Sequence, residues 1–488
     1  MWARRLAYRW QRLRRNPAAH WCALFVVLSA TVSMHDNNAN PYSRFALLEA
    51  IAEDHSLAID AYRDTTCDWS KTPDGRFFSN KAPGPVLLAL PFYLPVDAAV
   101  VAHAPDRKAR DARRLKARDA LLDYLAIVLQ AVPFALLVMV AAGMLAARGA
   151  SRPAIELAAL AMLFGNTASM LMNMFYGHGL AAVLTLGLVL ALLKRRMFLA
   201  GLLFGLDVLT DYGSALLLPI LLALVLWPSR GSAVGRMRRL ARVALGGLGP
   251  ALLFVAYHLD CFGGPFTLPN KYQNPVFVEK GGRALWGVID VLPDRHIAYE
   301  LLFGAKRSLG VTQPWVLVLA GLLVLFVWRG LRWSEACAAA ARVVLSMAFG
   351  GLLLLFVMNA SFGGWHGGVC PGPRYLSAIL PVVGLALGLC YDAFPKPARI
   401  GLWLAVVPAV VLFVIIWAGD VAIWPHHEIW RRCWETFFKF GLPKTYRRLS
   451  WILLAFAAAA FVAALRSRWW RRRPGGQGSL DVPTIPAA

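Results

Sequence analysis

The chain has 488 residues, 58% hydrophobic and only 16% charged, and its apolar residues gather into runs of about 16 to 25, the length that crosses a bilayer. Such runs exclude a string of soluble domains, because lipid admits only helices or closed barrels, and they point to an all-α polytopic bundle. A formal charge of +24 does not mark a nucleic-acid binder, since the basic residues fall in short clusters between the runs, where cytoplasmic positive charge belongs.

Those clusters are Arg4 to Arg15, Arg107 to Arg118, Arg230 to Arg242, Arg329 to Arg332, Lys396 to Arg399 and Arg466 to Arg473. Residues 1–18 read as a basic cytoplasmic amino terminus. The run Ala18 to Ser33 reads as a retained signal anchor, because no convincing small-residue cleavage site follows it. Hydropathy and charge then place a first crossing near 19 to 34, a polar segment 35 to 82 outside, and a second crossing near 84 to 104 that returns to the arginine-rich cluster. Within the outer segment, Asn40 and Pro41 suit a helix start, and Phe45, Leu48, Ile51 and Ala52 make one apolar stripe. The resulting helix is expected to lie along the membrane surface.

Between 120 and 228 the runs fall near 120–146, 153–172, 179–193 and 197–228. Lys194, Arg195 and Arg196 belong inside by charge but outside by count. The run 197–228 is long for one helix and carries Asp207 and Asp211 at mid-depth, which leaves a broken or a paired helix open. Beyond it come a crossing at 243–258, an outer segment 259–310, and crossings near 311–328, 336–359, 377–394, 400–418 and 449–465. The expected count is about twelve. The division is a core 19–258 that includes the loop 35–82, an external loop 259–310, carboxy-terminal helices 311–465 and a disordered cytoplasmic tail 466–488. The seven cysteines show no CxxC pair and no neighbouring histidine cluster, which argues against structural zinc. Cys67, Cys261, Cys370 and Cys433 fall outside the cytoplasm, as one disulfide or as partly buried thiols.

Polar chemistry concentrates in the outer stretches. "SMHDNNANPYSRF" (33–45) crowds Asp36, three asparagines and Arg44 at the lipid boundary. "TPDGRFFSNKAPGPVLLALP" (72–91) sets Lys81 beside Pro83 and Gly84, and "SFGGWHGGVCPGPRYLSAILP" (361–381) sets Arg374 and Tyr375 at the start of another crossing. The last two are glycine- or proline-rich turns ending in a cation. Glycine lets a backbone approach a ligand closely, and lysine and arginine at an interface suit a lipid phosphate.

The order "HDNNANPYSRF", "DGRFFSNKAPG", "FYGHG", "GLLFGLDVLTDYGS" and "GGWHGGVCPGPRYL" resembles the GT-C membrane glycosyltransferases, in the branch of bacterial lipopolysaccharide glycosyltransferases, protein O-mannosyltransferases and the aminoarabinose transferase of lipid A. The resemblance covers roughly residues 15 to 395. It implies a polyprenyl-phosphate sugar donor, a lipid, glycan or protein acceptor, and a bacterial cytoplasmic membrane with the site facing outward. It also implies Asp36 as catalytic base and Lys81 as a donor-phosphate contact, with Arg374 and Arg44 as further phosphate partners. Two positions depart from the pattern: Asp36 is followed by Asn37 and Asn38 instead of a second acid, and Asn80 stands where an aspartate often precedes the lysine. A divalent metal, Mg or Mn, prefers several carboxylates, so no metal ligand is assigned.

Each residue also has a structural reading. Asp36 could cap backbone amides, and Lys81 and Arg374 could snorkel to headgroups. His178 and His366 suit hydrogen-bonded interface histidines as well as a substrate cavity. Asp211, deep in an apolar run, should face a cavity or an arginine. Among the loop acids Asp60, Asp64, Asp68 and Asp74, Asp68 is the best second catalytic acid. Trp365 reads as an interfacial anchor, like most of the 18 tryptophans. The rival functions are a transporter or flippase of lipid-linked sugars and an inactive scaffold of the same fold. A carrier should line a continuous path with polar residues, whereas here most crossings are apolar.

Overall fold

The computed structural model describes residues 16–31, 38–227, 232–277, 289–328, 335–419, 427–438 and 443–471. It is 77% helical, which establishes the all-α class. Five helices are long and apolar enough to cross a membrane, and seven shorter apolar helices accompany them. The protein is a membrane-embedded helical bundle.

The first two helices are Ala19–Thr31 (α1) and Ala39–Asp54 (α2). Helix α2 is capped by Asn38, whose side chain accepts from the Asn40 N–H at 3.1 Å, so the cap lies two residues before the expected one. A short hairpin follows, Trp69–Lys71 (β1) antiparallel to Phe77–Ser79 (β2), with Trp69 opposite Ser79. Phe45 and Leu48 are buried as the stripe predicts, but Ala46, Leu47 and Ala50 on other faces are buried too. Helix α2 is therefore packed into protein on several sides and is not a helix lying free on lipid.

Helices Gly84–Val101 (α3) and Arg107–Ala146 (α4) come next, and α4 contains a π turn at Ile127–Ala131. The Phe45 and Tyr93 rings meet edge to face at 5.9 Å, which packs α2 on α3. Along α4, Arg107 pairs with Asp54 at 2.8 Å, Arg114 pairs with Glu53 and Asp97 at 2.8 Å each, and Arg110 also grips Glu53. These contacts join two segments, 35–82 and 107–118, that the charge rule assigns to opposite faces.

Helices Arg152–Leu163 (α5), Gly177–Leu193 (α6), Met197–Thr210 (α7) and Leu218–Leu226 (α8) build the middle of the bundle with Ala233–Phe262 (α9). Helix α6 is apolar on every face and almost wholly buried, as an all-round apolar helix must be. The run 197–228 is a pair. Helix α7 lies parallel to α9, with Gly246 backed onto Phe198 near its start and Tyr212, just past its end, 3.1 Å from His258. Helix α8 runs back, so that Arg239 donates to the Val225 carbonyl at 3.0 Å.

The remaining elements are Arg295–Leu302 (α10), Pro314–Trp328 (α11), Ala338–Ala360 (α12), Leu380–Cys390 (α13), Lys396–Ala418 (α14), Ile429–Phe438 (α15) and Pro443–Arg471 (α16). Helix α13 runs antiparallel to α5, Gly384 packing on Met162 and Gly388 on Ala158. Cys22, Cys67, Cys261, Cys370, Cys390 and Cys433 are all free thiols.

Candidate functional site

Five pieces of chain converge at one end of the bundle: the start of α2, the β-hairpin and the turn into α3, the start of α6, the α7–α8 corner, and the loop 361–376. Glycines let them meet. A Cβ on Gly177 would lie 2.8 Å from Arg44 Nη2, and one on Gly367, whose φ of +70° is left-handed, would lie 2.9 Å from Arg374 Nε.

Asp68 and Lys81 form an ion pair of 3.1 Å, the one a residue before β1 and the other two residues beyond β2. Ser43 of α2 locks the hairpin in place, donating to the Asp68 carbonyl at 2.6 Å and sharing a hydrogen bond of 2.7 Å with Ser79. Burial holds the Lys81 ammonium below the ordinary lysine range, against the pull of Asp68, and the neighbouring Arg374 and Arg44 lower it further. Among the loop acids Asp68 is therefore the one engaged with Lys81. Asp60 instead accepts the Phe77 N–H at 2.6 Å, and Asp64 sits exposed beside Arg63 at 3.5 Å.

Arg44 is 4% exposed and donates to the Asn40 carbonyl at 3.3 Å and to the Asn40 side-chain oxygen. Burial pushes its guanidinium down to about 10, while Asp68, Tyr176 and Asp211 oppose that fall. Arg374 donates to the Tyr375 hydroxyl at 3.1 Å, and the Tyr375 ring meets His178 edge to face at 5.3 Å. His178 Nδ1 in turn lies 2.6 Å from Asp211 Oδ2.

Asp211 therefore does not sit at mid-depth. It occupies the α7–α8 corner at the site, where its other oxygen accepts the Gly213 N–H at 3.1 Å. Asp207, one turn earlier, is fully buried and accepts from Thr185 at 2.5 Å and Ser214 at 2.8 Å, a structural role inside the bundle.

His366 belongs to the loop's own framework: its Nδ1 accepts the Gly368 N–H at 3.0 Å, and its carbonyl accepts from Arg307 at 2.6 Å. Trp365 packs beside Ile297 and Leu301 of α10, so it braces the outer loop. Asp36 lies outside the described residues. Asn38, two positions on, accepts from the Tyr176 hydroxyl at 2.8 Å, which ties that stretch to the start of α6.

Sequence reasoning missed three members. Tyr176 is 2% exposed and stands in the same "FYGHG" stretch that pointed to His178. Arg307, also 2% exposed, donates to both the His366 and Gly368 carbonyls and shapes the loop over Arg374. Its signal was an arginine just ahead of an apolar run, which also describes an ordinary headgroup anchor. Asn38 drew attention only as a departure from an acidic pair.

The charge balance at this end is uneven. Among the described residues, Arg44, Lys81, Arg374 and Arg307 stand with two carboxylates, Asp68 and Asp211, each already answered by a cation or a histidine. The Nε of Arg44 and the Nε of Arg374 are buried with no hydrogen-bond partner among the described residues. Leaving such donors unpaired is costly, so the arrangement suits an anion that accepts from both. Among the described residues no group of three or more His, Cys, Asp or Glu could hold a metal ion, and the local cations would repel one. Compared with models of known protein families the chain matches none, and compared with curated proteins it matches none.

Proposed function

We propose that the protein is a membrane glycosyltransferase of the GT-C type, moving a sugar from a polyprenyl-phosphate donor to an acceptor hydroxyl at the outer face of the cytoplasmic membrane of a bacterium. The observation that carries this reading is the meeting of Arg44 and Lys81 with Arg374, hundreds of positions further on, at one end of the bundle, with two guanidinium donors orphaned among the described residues. A phosphate bearing a lipid tail has the charge, the acceptor atoms and the location to satisfy them.

The resemblance supplies the base of the reaction and this geometry supports the phosphate contacts. The acceptor hydroxyl attacks the anomeric carbon and gives its proton to Asp36, a base worth about 10²- to 10⁴-fold. The bond from that carbon to the phosphate oxygen breaks, and the polyprenyl phosphate leaves with the electron pair. Its growing charge is met by Arg44, Lys81 and Arg374, already ordered by Asn40, Asp68 and Tyr375. Single-step attack inverts the anomeric configuration. The pair His178–Asp211 lines the chamber beside Tyr375 and contacts the sugar or the acceptor. The acceptor is a lipid, a glycan or a protein.

The test is sugar transfer in reconstituted vesicles with Asp36→Asn. Transfer should fall at least a hundredfold while the protein remains folded and still binds polyprenyl phosphate. Unchanged transfer removes Asp36 from its role, and movement of the donor across the bilayer without transfer supports a flippase in place of an enzyme.

A further inference from the structure

We infer that α3 does not cross the membrane, and that residues 38–118 form a peripheral layer on the same side as the chamber, carrying the cluster Arg107–Arg118 with them. This stands whether or not the chamber transfers a sugar, because it rests on chain tracing and ion pairs alone.

Consider first where the chain must be at three points. Lys81, ahead of α3, is at the chamber. Ser151, after α4, is at the opposite end: its N–H and hydroxyl both donate to Asp392 at 2.6 Å, beyond the far end of α13. That end is far from the chamber because α5 and α13 run antiparallel from there, meeting again where Gly372 packs against Thr167, next to the loop that holds Arg374. An odd number of crossings must therefore separate Lys81 from Ser151. Two apolar helices, α3 and α4, lie between them, so only one of the two crosses.

The contacts identify which. The second half of α4 is woven into the bundle with α1: Phe134 meets Phe25 at 5.8 Å, and Asn16, ahead of α1, donates to the Met139 carbonyl at 2.7 Å. Gln130 donates to the Met174 carbonyl at 3.1 Å, which marks the level of the chamber on α4. Helix α3 touches α4 on the stretch that extends past that level, through Asp97 and Arg114. The same stretch holds Glu53, Asp54 and Tyr42 of α2, the last through Asp119 at 3.2 Å.

Two consequences agree with this assignment. With α3 withdrawn and 197–228 split into α7 and α8, Lys194–Arg196 return to the side away from the chamber, together with Arg148, Arg152, Arg236–Arg242, Lys396 and Arg399. The conflict between charge and count disappears, and the crossings number twelve. The cluster Arg107–Arg118 then stands as an exception to the positive-inside rule, held in place by ion pairs. Arg107, Arg110, Arg114 and Arg118 each pair with an acid of the same layer: Asp54, Glu53, Asp97 and Asp119.

Cysteine labelling in intact spheroplasts decides the matter. The wild-type chain offers Cys67, an exposed thiol on the chamber side. In a Cys67→Ser background, Lys108→Cys, Lys116→Cys and Arg195→Cys are treated with a membrane-impermeant maleimide before and after the membrane is opened. Lys108→Cys and Lys116→Cys should behave as Cys67 does, and Arg195→Cys oppositely. The inference is overturned if both Lys108→Cys and Lys116→Cys fall in the opposite class from Cys67, or in the same class as Arg195→Cys. Detergent-monodisperse protein is required of each variant, and two positions guard against one that fails to fold.

Discussion

Two ionic clusters sit within a few turns of each other, and they differ in how they are completed. Around Arg114, which is 2% exposed, every charge finds its opposite inside the protein: Asp97 takes two of its nitrogens at 2.8 and 2.9 Å, and Glu53 bridges on to Arg110. Around Lys81 the cations exceed the acids, and two guanidinium donors are left over. A network that balances itself holds a fold together. One with surplus charge is finished by something that arrives, and burial alone does not distinguish the two.

Removing one partner from each cluster should separate stability from activity. Arg114→Leu leaves two acids facing each other in a buried site and should destabilise the protein by about 3 to 5 kcal/mol, read as a large drop in its melting temperature. Lys81→Met should do the reverse: sugar transfer falls about 10²- to 10³-fold, the scale of losing one charge-stabilising donor, with melting little changed. If Lys81→Met melts early and Arg114→Leu does not, the assignment of the two clusters is inverted.

The clusters should also fail at opposite ends of the pH scale. Lys81 is held below the usual lysine range by burial, so donor binding is complete while the ammonium is charged and weakens as pH rises through that lowered value. Lys81→Arg, which stays charged, should remove this alkaline loss, measured as phosphate-lipid affinity against pH. Glu53 is held down to about 2 by its hydrogen bonds to Arg110, with burial opposing and Arg114 assisting. Its folded value lies below its unfolded one, so its contribution to stability is present above the ordinary glutamate range and is lost as pH falls toward 2. Melting temperature against pH should show that acid arm, and Glu53→Gln should flatten it.

The smallest effect is expected from Tyr375→Phe. It removes the hydroxyl that receives Arg374 but keeps the ring beside His178, and should cost a fewfold in transfer without touching stability.

The stretches around Lys81, His178, Asp211 and Arg374 stood out in the sequence because charged and glycine-rich motifs are rare at the ends of apolar runs. Which of them would meet was not legible, since contacts spanning from Arg44 to Arg374 leave no local trace. Our inference that α3 stays on the chamber side goes against its hydropathy for a related reason. Hydropathy records that "PVLLALPFYLPV" is apolar, but not that Val86, Ala89 and Tyr93 face protein while Phe92 and Leu94 are exposed. Likewise, Asp211 reads as mid-membrane only if 197–228 is one helix, and the reversal is announced only by Gly213 and by Pro219 in the first turn of α8, weak punctuation in so apolar a run.

Helix α7, which rises to the chamber beside the 30-residue α9, is short: it has 14 residues, or about 21 Å at 1.5 Å per residue, against a hydrocarbon core of about 30 Å. Such hydrophobic mismatch is relieved by thinning the surrounding bilayer, at a modest cost per ångström. Where α7 meets lipid the bilayer should therefore be drawn thinner, which would lower headgroups toward Lys81 and Arg374 and spare an isoprenoid from having to climb out of the membrane to react.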